Sequence, residues 1–411
     1  MKILVVGKGG REHALAKAAH ASKLCDQLYC APGNPGMAKI ATCLNVSDSD
    51  IEGLVKAAKE NEIDLTIVGP EATLSLGIVD AFEKEGLKIF GPTKAATQVE
   101  SSKDFAKQIM AKYDIPTAAY QTFDNYEEAW KYVESKGAPI VIKEDGLKAG
   151  KGVTVAMDLD QANEALKIAF DIENNQVVIE EYLEGFEFSL ICLVHNELVI
   201  PLEVAQDHKC VFDGDKGPNT GGMGSYSPVK KITPEIIQEA LDTILCPMAK
   251  AMVKENVPFT GFLYGGLMMT KDGIKTIEFN ARFGDPEAEV ILPRLESDFV
   301  QAILDVMNNK PVKLKWSDKV SHGVVLASEG YPAGSTSGAI IEGVDDVDGF
   351  VYHMGTKEVD GNLVTAGGRV LMVVTLEPTL EEAFEHTYNE IKKIHCDKLF
   401  FRTDIGRKDM D

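Results

Sequence analysis

The chain has 411 residues, of which 45% are apolar and 26% are charged, and this composition is typical of a globular protein rather than a disordered one. At ~150 residues per domain, this length predicts about three domains. The net charge of −22 argues against a nucleic-acid-binding protein, because such proteins neutralise phosphates with Lys and Arg.

No apolar run approaches the ~20 residues that a transmembrane helix needs. The apolar start Ile3–Val6 is interrupted by Gly7 too early for a secretory signal. The seven cysteines are odd in number and scattered, and they contain no C-x-x-C pair, which indicates reduced thiols rather than disulfides or a zinc site. We therefore expect a cytoplasmic protein that binds neither membranes nor nucleic acids.

Short apolar runs alternate with helical patterns over the first hundred residues. The runs are Ile3–Val6, Gln27–Cys30, Leu65–Val68 and Lys88–Phe90, and each ends in a turn that contains Gly or Pro. This alternation predicts a parallel sheet with right-handed crossovers. In such a sheet, ligands bind at the carboxyl ends of the strands.

The first of these turns, Gly7–Gly10, opens a predicted helix. Glycines at this point let backbone N–H groups approach an anion, which the helix dipole also stabilises. A dinucleotide site is the obvious alternative, but Glu12 stands where the G-x-G-x-x-G motif requires Gly, and no acid ends the next strand. A plain tight turn and a bound phosphate ester both remain compatible with the segment.

From about residue 120 to residue 190, helix, strand, loop, strand, helix and strand follow one another. The short connections predict an antiparallel sheet, so this unit is α+β. Its loop Lys143–Val153 alternates Gly and Lys, but Gly152 replaces the Ser or Thr of a Walker A loop and no helix follows. Such a hairpin can close over phosphates, and the alternative is a solvated turn. The strand Val177–Leu183 ends in acids, which on their own indicate a strand end that faces water.

A third unit contains a predicted helix, Pro234–Glu255, and a Gly-rich polar segment, Asp213–Pro228, which we expect to be a long loop. The segment begins like a calcium loop, but Pro218 and Gly224 stand where that loop requires Gly and Glu. Loops of this length in a compact unit are usually functional. Strands from Gly323 onward and a C-terminal helix, Leu380–Ile394, are predicted to follow it.

The strand Ile277–Arg282 carries polar residues in alternate positions. Period-two alternation predicts that Glu278, Asn280 and Arg282 share one face. A carboxylate and an amide oxygen at i and i+2 suit Mg²⁺, and an arginine beside them can neutralise a transferring phosphoryl group. A solvent-facing edge strand is the alternative interpretation.

These segments together resemble the ATP-grasp ligases, and among them the phosphoribosylamine–glycine ligases, over nearly the whole chain. The most specific strings are Gly217–Gly224 and Arg282–Glu287. The resemblance implies an α/β and α+β multidomain protein: a Rossmann-like domain (1–101), an ATP-grasp region (102–310) with a mobile lid lobe (120–187) and a central lobe that holds the metal (188–310), and a β-rich domain (311–411).

The resemblance also implies an activity. Glycine, 5-phosphoribosylamine and ATP would give glycinamide ribonucleotide, ADP and phosphate through glycyl phosphate, in de novo purine biosynthesis. Mg²⁺ or Mn²⁺ would accompany ATP, and the enzyme would be a monomer or a weak oligomer. The residues that would contact ATP are Lys103, Lys143, Gly150, Lys151, Gly152, Glu180, Glu181, Tyr182, Leu183 and Glu187.

Further residues are implied for the other substrates and the metal. Glu278 and Asn280 would hold the metal. Arg282, Asp207 and the amides of Gly221, Gly222 and Gly224 would act in catalysis. The substrate-binding residues would be Gly9, Gly10, Asn34, Glu71, Asp207, Lys209, Asn219 and Thr220.

The chain departs from the pattern of the family in three places. Cys210 replaces the usual Arg, Lys148 replaces the usual Ala, and the segment Ala169–Gln176 is short. Another carboxylate–amine ligase of the same fold is the nearest alternative. A nucleotide-binding regulator without turnover is a second alternative, but mere ATP sensing does not need an arginine at the γ-phosphate. A nicotinamide dehydrogenase is a distant third.

Overall fold

The computed structural model describes residues 1–147 and 152–410 of the chain. Lys148, Gly150 and Lys151, for which roles were predicted or discussed above, lie outside the described residues. Within the described ranges, no helix is long and apolar enough to cross a membrane.

The first region is a five-stranded parallel sheet of order β3-β2-β1-β4-β5, so the predicted parallel sheet is confirmed. The central strand β1 is a continuous apolar run because helices cover both faces of a parallel sheet. The short edge strand β3 is exposed and was not predicted, since it carries no apolar run. The elements are β1 (Lys2–Gly7), α1 (Gly10–His20), β2 (Gln27–Pro32), β3 (Thr42–Cys43), α2 (Ile51–Glu60), β4 (Leu65–Val68), α3 (Glu71–Ser75), α4 (Ile78–Lys84), β5 (Ile89–Phe90) and α5 (Gln98–Ser101).

The second region is a four-stranded antiparallel sheet of order β6-β9-β7-β8, so the predicted α+β unit is confirmed. Its three helices begin at side-chain caps, because Ser102, Asn125 and Asp158 accept hydrogen bonds from backbone N–H groups of the first turn. The elements are α6 (Lys103–Lys112), β6 (Tyr120–Phe123), α7 (Tyr126–Lys136), β7 (Ile140–Glu144), β8 (Val153–Ala156), α8 (Leu159–Phe170) and β9 (Val177–Glu181).

The third region is built on an antiparallel sheet of order β11-β10-β16-β17. The helix predicted at Pro234–Glu255 is confirmed, with a π-helical turn in its middle. The elements are β10 (Phe186–His195), β11 (Leu198–Pro201), β12 (Gln206–Asp207), β13 (Cys210–Phe212), β14 (Lys216–Asn219), β15 (Gly224–Ser227), α9 (Pro234–Ala240), α10 (Cys246–Lys254), β16 (Thr260–Thr270), β17 (Gly273–Asn280), α11 (Glu287–Ile291) and α12 (Phe299–Met307).

The C-terminal region is centred on a sheet of order β12-β15-β18-β22-β19, with β23 beside β18. Two of its strands, β12 and β15, therefore come from the third region. The long loop predicted at Asp213–Pro228 is wrong, because β14 and β15 lie in it. All four residues of β15 are buried, so the strand shows no alternation that the sequence could reveal. The remaining elements are β18 (Val320–Ser328), β19 (Phe350–His353), β20 (Thr356–Val359), β21 (Asn362–Thr365), β22 (Arg369–Glu377), α13 (Leu380–Ile391) and β23 (Leu399–Phe400).

Two apolar cores explain where a cleft can form. One core joins three regions, with Ile3 of β1, Phe262 of β16 and Val374 of β22 among its buried residues. The second region has a separate core, which includes Ile142 of β7 and Leu166 of α8. Helix α6 does not belong to this separate core, because its Ile109 and Met110 share a core with Leu245 and Phe279 of the third region. The cleft therefore lies between the sheet of the second region and the third region, where Lys143 contacts the backbone of Ile277.

Candidate active site

Glu278 and Asn280 lie at the end of β17, on the side that faces the second region. Gly266 of β16 is the register partner of Glu278, and a Cβ added at Gly266 would lie 3.3 Å from Glu278 Cγ. A side chain at Gly266 would therefore crowd the carboxylate. The strand ends at Asn280, so Arg282 lies beyond it and not on the strand face.

Four cationic side chains determine the charge of Glu278. Burial would raise the pKa of Glu278, but Lys209, Lys143, Arg282 and Lys103 lower it below its ordinary value, so the carboxylate is ionised. Among the described residues, neither the Glu278 carboxylate nor the Asn280 amide makes a side-chain hydrogen bond. An ionised carboxylate and a neighbouring amide are therefore both available to a ligand.

The carboxylate of Glu278 and the amide oxygen of Asn280 suit a magnesium ion that also binds phosphates and water. They are too few to hold a metal by themselves. Within 1–147 and 152–410, no group of three His, Cys, Asp or Glu side chains is arranged to hold a metal. Mg²⁺ is often bound through one or two protein oxygens, with phosphates and water completing its octahedron. Glu278 and Asn280 supply this number of protein ligands.

Lys143 reaches the same place from the second region. It pairs with Glu180 at 2.9 Å and donates a hydrogen bond to the backbone oxygen of Ile277 at 3.0 Å, which ties β7 to β17. The other oxygen of Glu180 pairs with Lys107 at 3.0 Å, and burial lowers the pKa of Lys107 to about 8 against the pull of Glu180. The Glu180 side chain is thus committed to two lysines, and its backbone lies in β9 between β6 and β7. The nucleoside contact of Glu180 stays a prediction. Lys107 was not predicted.

Lys103 and Gly152 contact the described ends of the connection between β7 and β8. The Nζ of Lys103 donates to the oxygen of Gly146 at 2.9 Å, and its backbone N–H donates to Asp145 at 2.5 Å. Burial lowers the pKa of Lys103, while Glu278 and Asp145 raise it. The oxygen of Gly152 accepts from the Glu144 N–H at 2.8 Å, which closes the base of the hairpin. Both predicted residues therefore lie beside the cleft.

The other acids predicted to contact the nucleotide are already paired. Glu181 pairs with Lys275 at 2.8 Å and lies at the exposed end of β9, together with Tyr182, and Leu183 follows half-buried. Glu187 pairs with Lys209 across the cleft. A ribose contact from Glu187 would therefore have to share its carboxylate with Lys209.

Asp207 and Lys209 flank His208 where β12 ends. The side chain of Lys209 lies among Glu187, Glu278 and Asp207, and these acids raise its pKa against the effect of burial. Burial and the neighbouring Glu287 raise the pKa of Asp207 well above its ordinary value, and its buried Oδ1 atom has no hydrogen-bond partner among the described residues. Asp207 is therefore harder to ionise than an exposed aspartate, and it lies near a lysine whose charge the surrounding acids stabilise.

The glycine amides predicted to stabilise a transition state have protein acceptors. The N–H of Gly221 donates to the hydroxyl of Tyr331 at 3.0 Å, and the N–H of Gly222 donates to the hydroxyl of Thr220 at 2.9 Å. Gly222 has a φ of +111°, and an added Cβ would lie 2.4 Å from Pro286 Cδ, so only glycine fits. The donation of these two amides to a phosphoryl group stays a prediction, and it requires them to exchange these acceptors for the phosphoryl oxygens. Gly224 lies in β15, where its oxygen accepts from His208 at 3.0 Å.

Asn219 and Cys210 face each other in the β13–β14 hairpin, with Cys210 Sγ 3.6 Å from the Asn219 side-chain oxygen. The guanidinium of Arg402 donates to the backbone oxygen of Cys210 at 3.0 Å. An arginine therefore already lies next to position 210, although it reaches there from the C-terminal region. No structural account of Lys148 as a compensating charge is possible, because it lies outside the described residues.

The predicted sugar-phosphate residues of the first region lie together, but two of them are occupied. The N–H of Gly9 donates to Glu12 at 2.7 Å, and a Cβ at Gly10 would lie 2.4 Å from Glu289 Oε1. The side-chain amide of Asn34 donates to Lys8 and His353, and its oxygen accepts from the Met37 N–H at 2.9 Å. Asn34 therefore shapes the turn, and its contact with substrate stays a prediction.

Glu71 lies between two arginines. It pairs with Arg282 at 3.4 Å and with Arg11 at 3.6 Å, and despite burial these cations lower the pKa of Glu71 to about 2. Arg282 also pairs with Glu100 at 3.1 Å. Burial is the largest influence on Glu100 and raises its pKa to about 7, even though Arg282 opposes this.

Arg369 is a further residue of the site that was not predicted to have a role. It donates to the oxygen of Gly221 at 2.7 Å and pairs with Asp285 at 2.9 Å, so it joins two of the strings that define the resemblance. The string Gly367–Arg369 was visible in the sequence, but its partners lie more than eighty residues away. Only the folded chain brings them together.

Comparison with known proteins covers nearly the whole chain. Residues 1–100 match the N domain of phosphoribosylglycinamide synthetase, residues 101–288 match its ATP-grasp (A) domain, and residues 321–408 match its C domain. The phosphoribosylamine–glycine ligase of Halalkalibacterium halodurans is 51% identical over 99% of this chain and 97% of its own length. That of Lactococcus lactis is 48% identical over 99% and 100%.

Solved structures show the same relationship. The crystal structure of phosphoribosylamine–glycine ligase from Thermotoga maritima matches with a TM-score of 0.87 and 32% identity, over 99% of this chain and 100% of that one. The biotin carboxylase domain of the Hydrogenobacter thermophilus 2-oxoglutarate carboxylase, solved with MgADP, matches with a TM-score of 0.72 and 18% identity over 97% and 91%. The second similarity shows a shared ATP-grasp fold.

Proposed function

The chain belongs to the phosphoribosylglycinamide synthetase (phosphoribosylamine–glycine ligase) family, and from that premise we propose how its residues carry out the reaction. It is an ATP-dependent ligase of purine biosynthesis that joins glycine to 5-phosphoribosylamine. The observation that carries the residue assignment is the ionised Glu278, which lies beside Asn280 and among four cations.

In the proposed first step, the carboxylate of glycine attacks the γ-phosphorus of ATP and ADP leaves, which forms glycyl phosphate. Lys103 and Lys143 would neutralise the phosphates of ATP, and Arg282 would neutralise the phosphoryl group in transfer. Glu278 and Asn280 would hold Mg²⁺ or Mn²⁺, which neutralises phosphate charge when it is bound. The protein contributes position and charge rather than a covalent intermediate.

In the proposed second step, the amine of 5-phosphoribosylamine attacks the acyl carbon, and phosphate leaves. Lys209 is central to the residues proposed for this substrate, because it lies between Glu187, Glu278 and Asp207. The turn at Gly9 and Gly10 is the proposed site of the sugar phosphate, since it opens helix α1. Closure of the second region over the cleft would exclude water from the acyl phosphate.

A coupled assay for ADP tests this proposal directly. We expect ADP to form only when glycine, 5-phosphoribosylamine and a divalent cation are all present, and not with other amines or amino acids in their place. Preferred turnover of a different amino acid would assign the chain to another ATP-grasp ligase. ATP binding without any turnover would favour the alternative of a nucleotide-binding regulator that is not an enzyme.

A further inference from the structure

Arg282 needs a support that its own strand does not provide. Strand β17 ends at Asn280, so Arg282 follows it in a turn, and its side chain is only partly buried. A long side chain in a turn has many rotamers, and fixing one of them costs entropy. The groups that bind its guanidinium therefore influence the fraction of molecules in which Arg282 has the required rotamer.

Glu100 holds the turn at two points. One oxygen of its carboxylate pairs with Arg282 Nη2 at 3.1 Å. The other oxygen accepts from the backbone N–H of Ala281 at 2.7 Å. Glu100 thus binds the backbone and the side chain of adjacent residues with one carboxylate, and its own side chain is only 7% exposed. A carboxylate fixed in this way presents the arginine in one orientation.

Glu100 also lies outside the groups proposed to meet substrate. It belongs to the short helix α5, at the junction between the first region and α6. On the opposite side of Arg282, Glu71 pairs with both Arg282 and Arg11. Arg11 in turn pairs with Glu12 at 2.6 Å, and Glu12 accepts from the Gly9 N–H at 2.7 Å. Arg282 is therefore held between Glu71, which is linked to the Gly9 turn, and Glu100, which also binds the backbone N–H of the preceding residue, Ala281.

We propose that Glu100 is a positioning residue for Arg282, which it holds in the orientation that phosphoryl transfer requires while touching no substrate itself. The proposal rests on the role of Arg282 proposed above. The alternative is a structural ion pair that only joins the first region to the ATP-grasp region. The two differ in what is lost when the charge is removed, because a structural pair would affect stability and leave kcat unchanged.

The test begins with Glu100→Gln, which keeps an acceptor for Ala281 and removes the charge beside Arg282. We expect kcat to fall about 10- to 100-fold, the range for a misplacement of ~1 Å, with the KM for ATP and for glycine unchanged. Glu100→Asp, which keeps the charge, should recover part of the loss. The matched control is Glu203→Gln. Glu203 forms an ion pair with the buried Arg294, also at 3.1 Å, and this pair is not part of the site.

A double-mutant cycle separates this inference from the proposed function. If Glu100 acts through Arg282, then Glu100→Gln should add no further loss of kcat in an Arg282→Ala background. Wild-type kcat in Arg282→Ala alone would overturn the proposed role of Arg282. A loss in Arg282→Ala with none in Glu100→Gln, or with independent losses in the double variant, would overturn the positioning role alone. If Glu100→Gln does not fold, the same cycle is run with Glu100→Asp.

Discussion

The charge of the cleft is set residue by residue. Lys143, Lys209 and Arg282 each have an acidic partner in Glu180, Glu187 and Glu100. Glu278 makes no ion pair within 4.0 Å in the described part of the chain, although Lys209, Lys143, Arg282 and Lys103 all lower its pKa. The pairs hold the lysines and the arginine in place, while the carboxylate of Glu278 remains available to a ligand. A neutral residue at position 278 would leave those cations facing one another.

We therefore expect Glu278→Gln to lower kcat about 10²- to 10³-fold, the loss typical of removing one charge-stabilising group. The concentration of Mg²⁺ at half-maximal activity should rise in the same variant. Initial rates over a Mg²⁺ titration measure both effects. Glu255→Gln is the control, since Glu255 pairs with Lys112 on the surface at 2.6 Å. Near-normal turnover of Glu278→Gln at limiting Mg²⁺ would show that the metal is held elsewhere.

At the residue scale, the sequence reveals those site residues whose signal is local. Glu278 and Asn280 were found because two positions in one strand carry polar side chains where apolar ones are expected. The sequence did not reveal Lys107, Glu100 and Arg369. Each of them acts on a partner in a distant segment of the chain, which only the fold brings close. The sequence also does not reveal that the Asn34 side chain holds its own turn, because the bond to His353 joins segments far apart in the chain.

At the element scale, strand β15 determines how the Gly221–Gly224 turn is held. The strand pairs with β18, and the turn before it is fixed by Tyr331 and Arg369. The parallel sheet and the antiparallel lobe were predictable because apolar runs and connection lengths specify them. Strand β15 was not, since Gly, Ser and Tyr buried on both faces form no pattern. Its place in the C-terminal sheet depends on a partner strand almost a hundred residues away.

Tyr331 provides a test of this arrangement. Tyr331→Phe removes the acceptor of the Gly221 N–H, and an unsatisfied donor that is partly buried costs ~1–3 kcal/mol. We expect the free energy of unfolding in urea to fall by about 1 kcal/mol and kcat to fall about 10-fold. Tyr388→Phe is matched to it, because the Tyr388 hydroxyl bonds Arg402 in the same region but not the turn. Equal effects on kcat in both variants would disprove a specific role of Tyr331.

At the scale of the whole molecule, buried histidines join the regions. The His353 N–H donates to His13 Nδ1 at 3.0 Å, which links the C-terminal and first regions. The Gly406 N–H donates to His208 Nε2 at 3.1 Å, which links the C-terminal and third regions. Burial, the largest influence on each, lowers the pKa of His208 and of His353 to about 4. The acceptor rings in these two bonds are those of His208 and His13, and burial lowers the pKa of His13 as well, so both rings accept as neutral imidazoles.

The lowered pKa values of these histidines determine how the stability of the fold depends on pH. A histidine with a lowered pKa in the folded state stabilises the fold above its unfolded pKa of ~6.5, and this contribution is lost as the pH falls towards 4. For His208 the loss amounts to about 2 kcal/mol at pH 5. Burial raises the pKa of Glu100 to about 7, so protonation of Glu100 stabilises the fold as the pH falls. The pH dependence of stability is therefore the sum of a loss from the histidines and a gain from Glu100.

A variant isolates the histidine contribution from that sum. In His208→Gln, the side-chain oxygen can still accept from the Gly406 N–H but cannot take up a proton. We expect the urea unfolding midpoint of the unaltered chain to fall more steeply between pH 7.5 and pH 5 than that of His208→Gln. His20→Gln is the control, because His20 is exposed and its variant should keep the original slope. Parallel slopes for the unaltered chain and His208→Gln would mean that His208 is as easily protonated in the fold as outside it, and that its contact with Gly406 does not depend on a neutral ring.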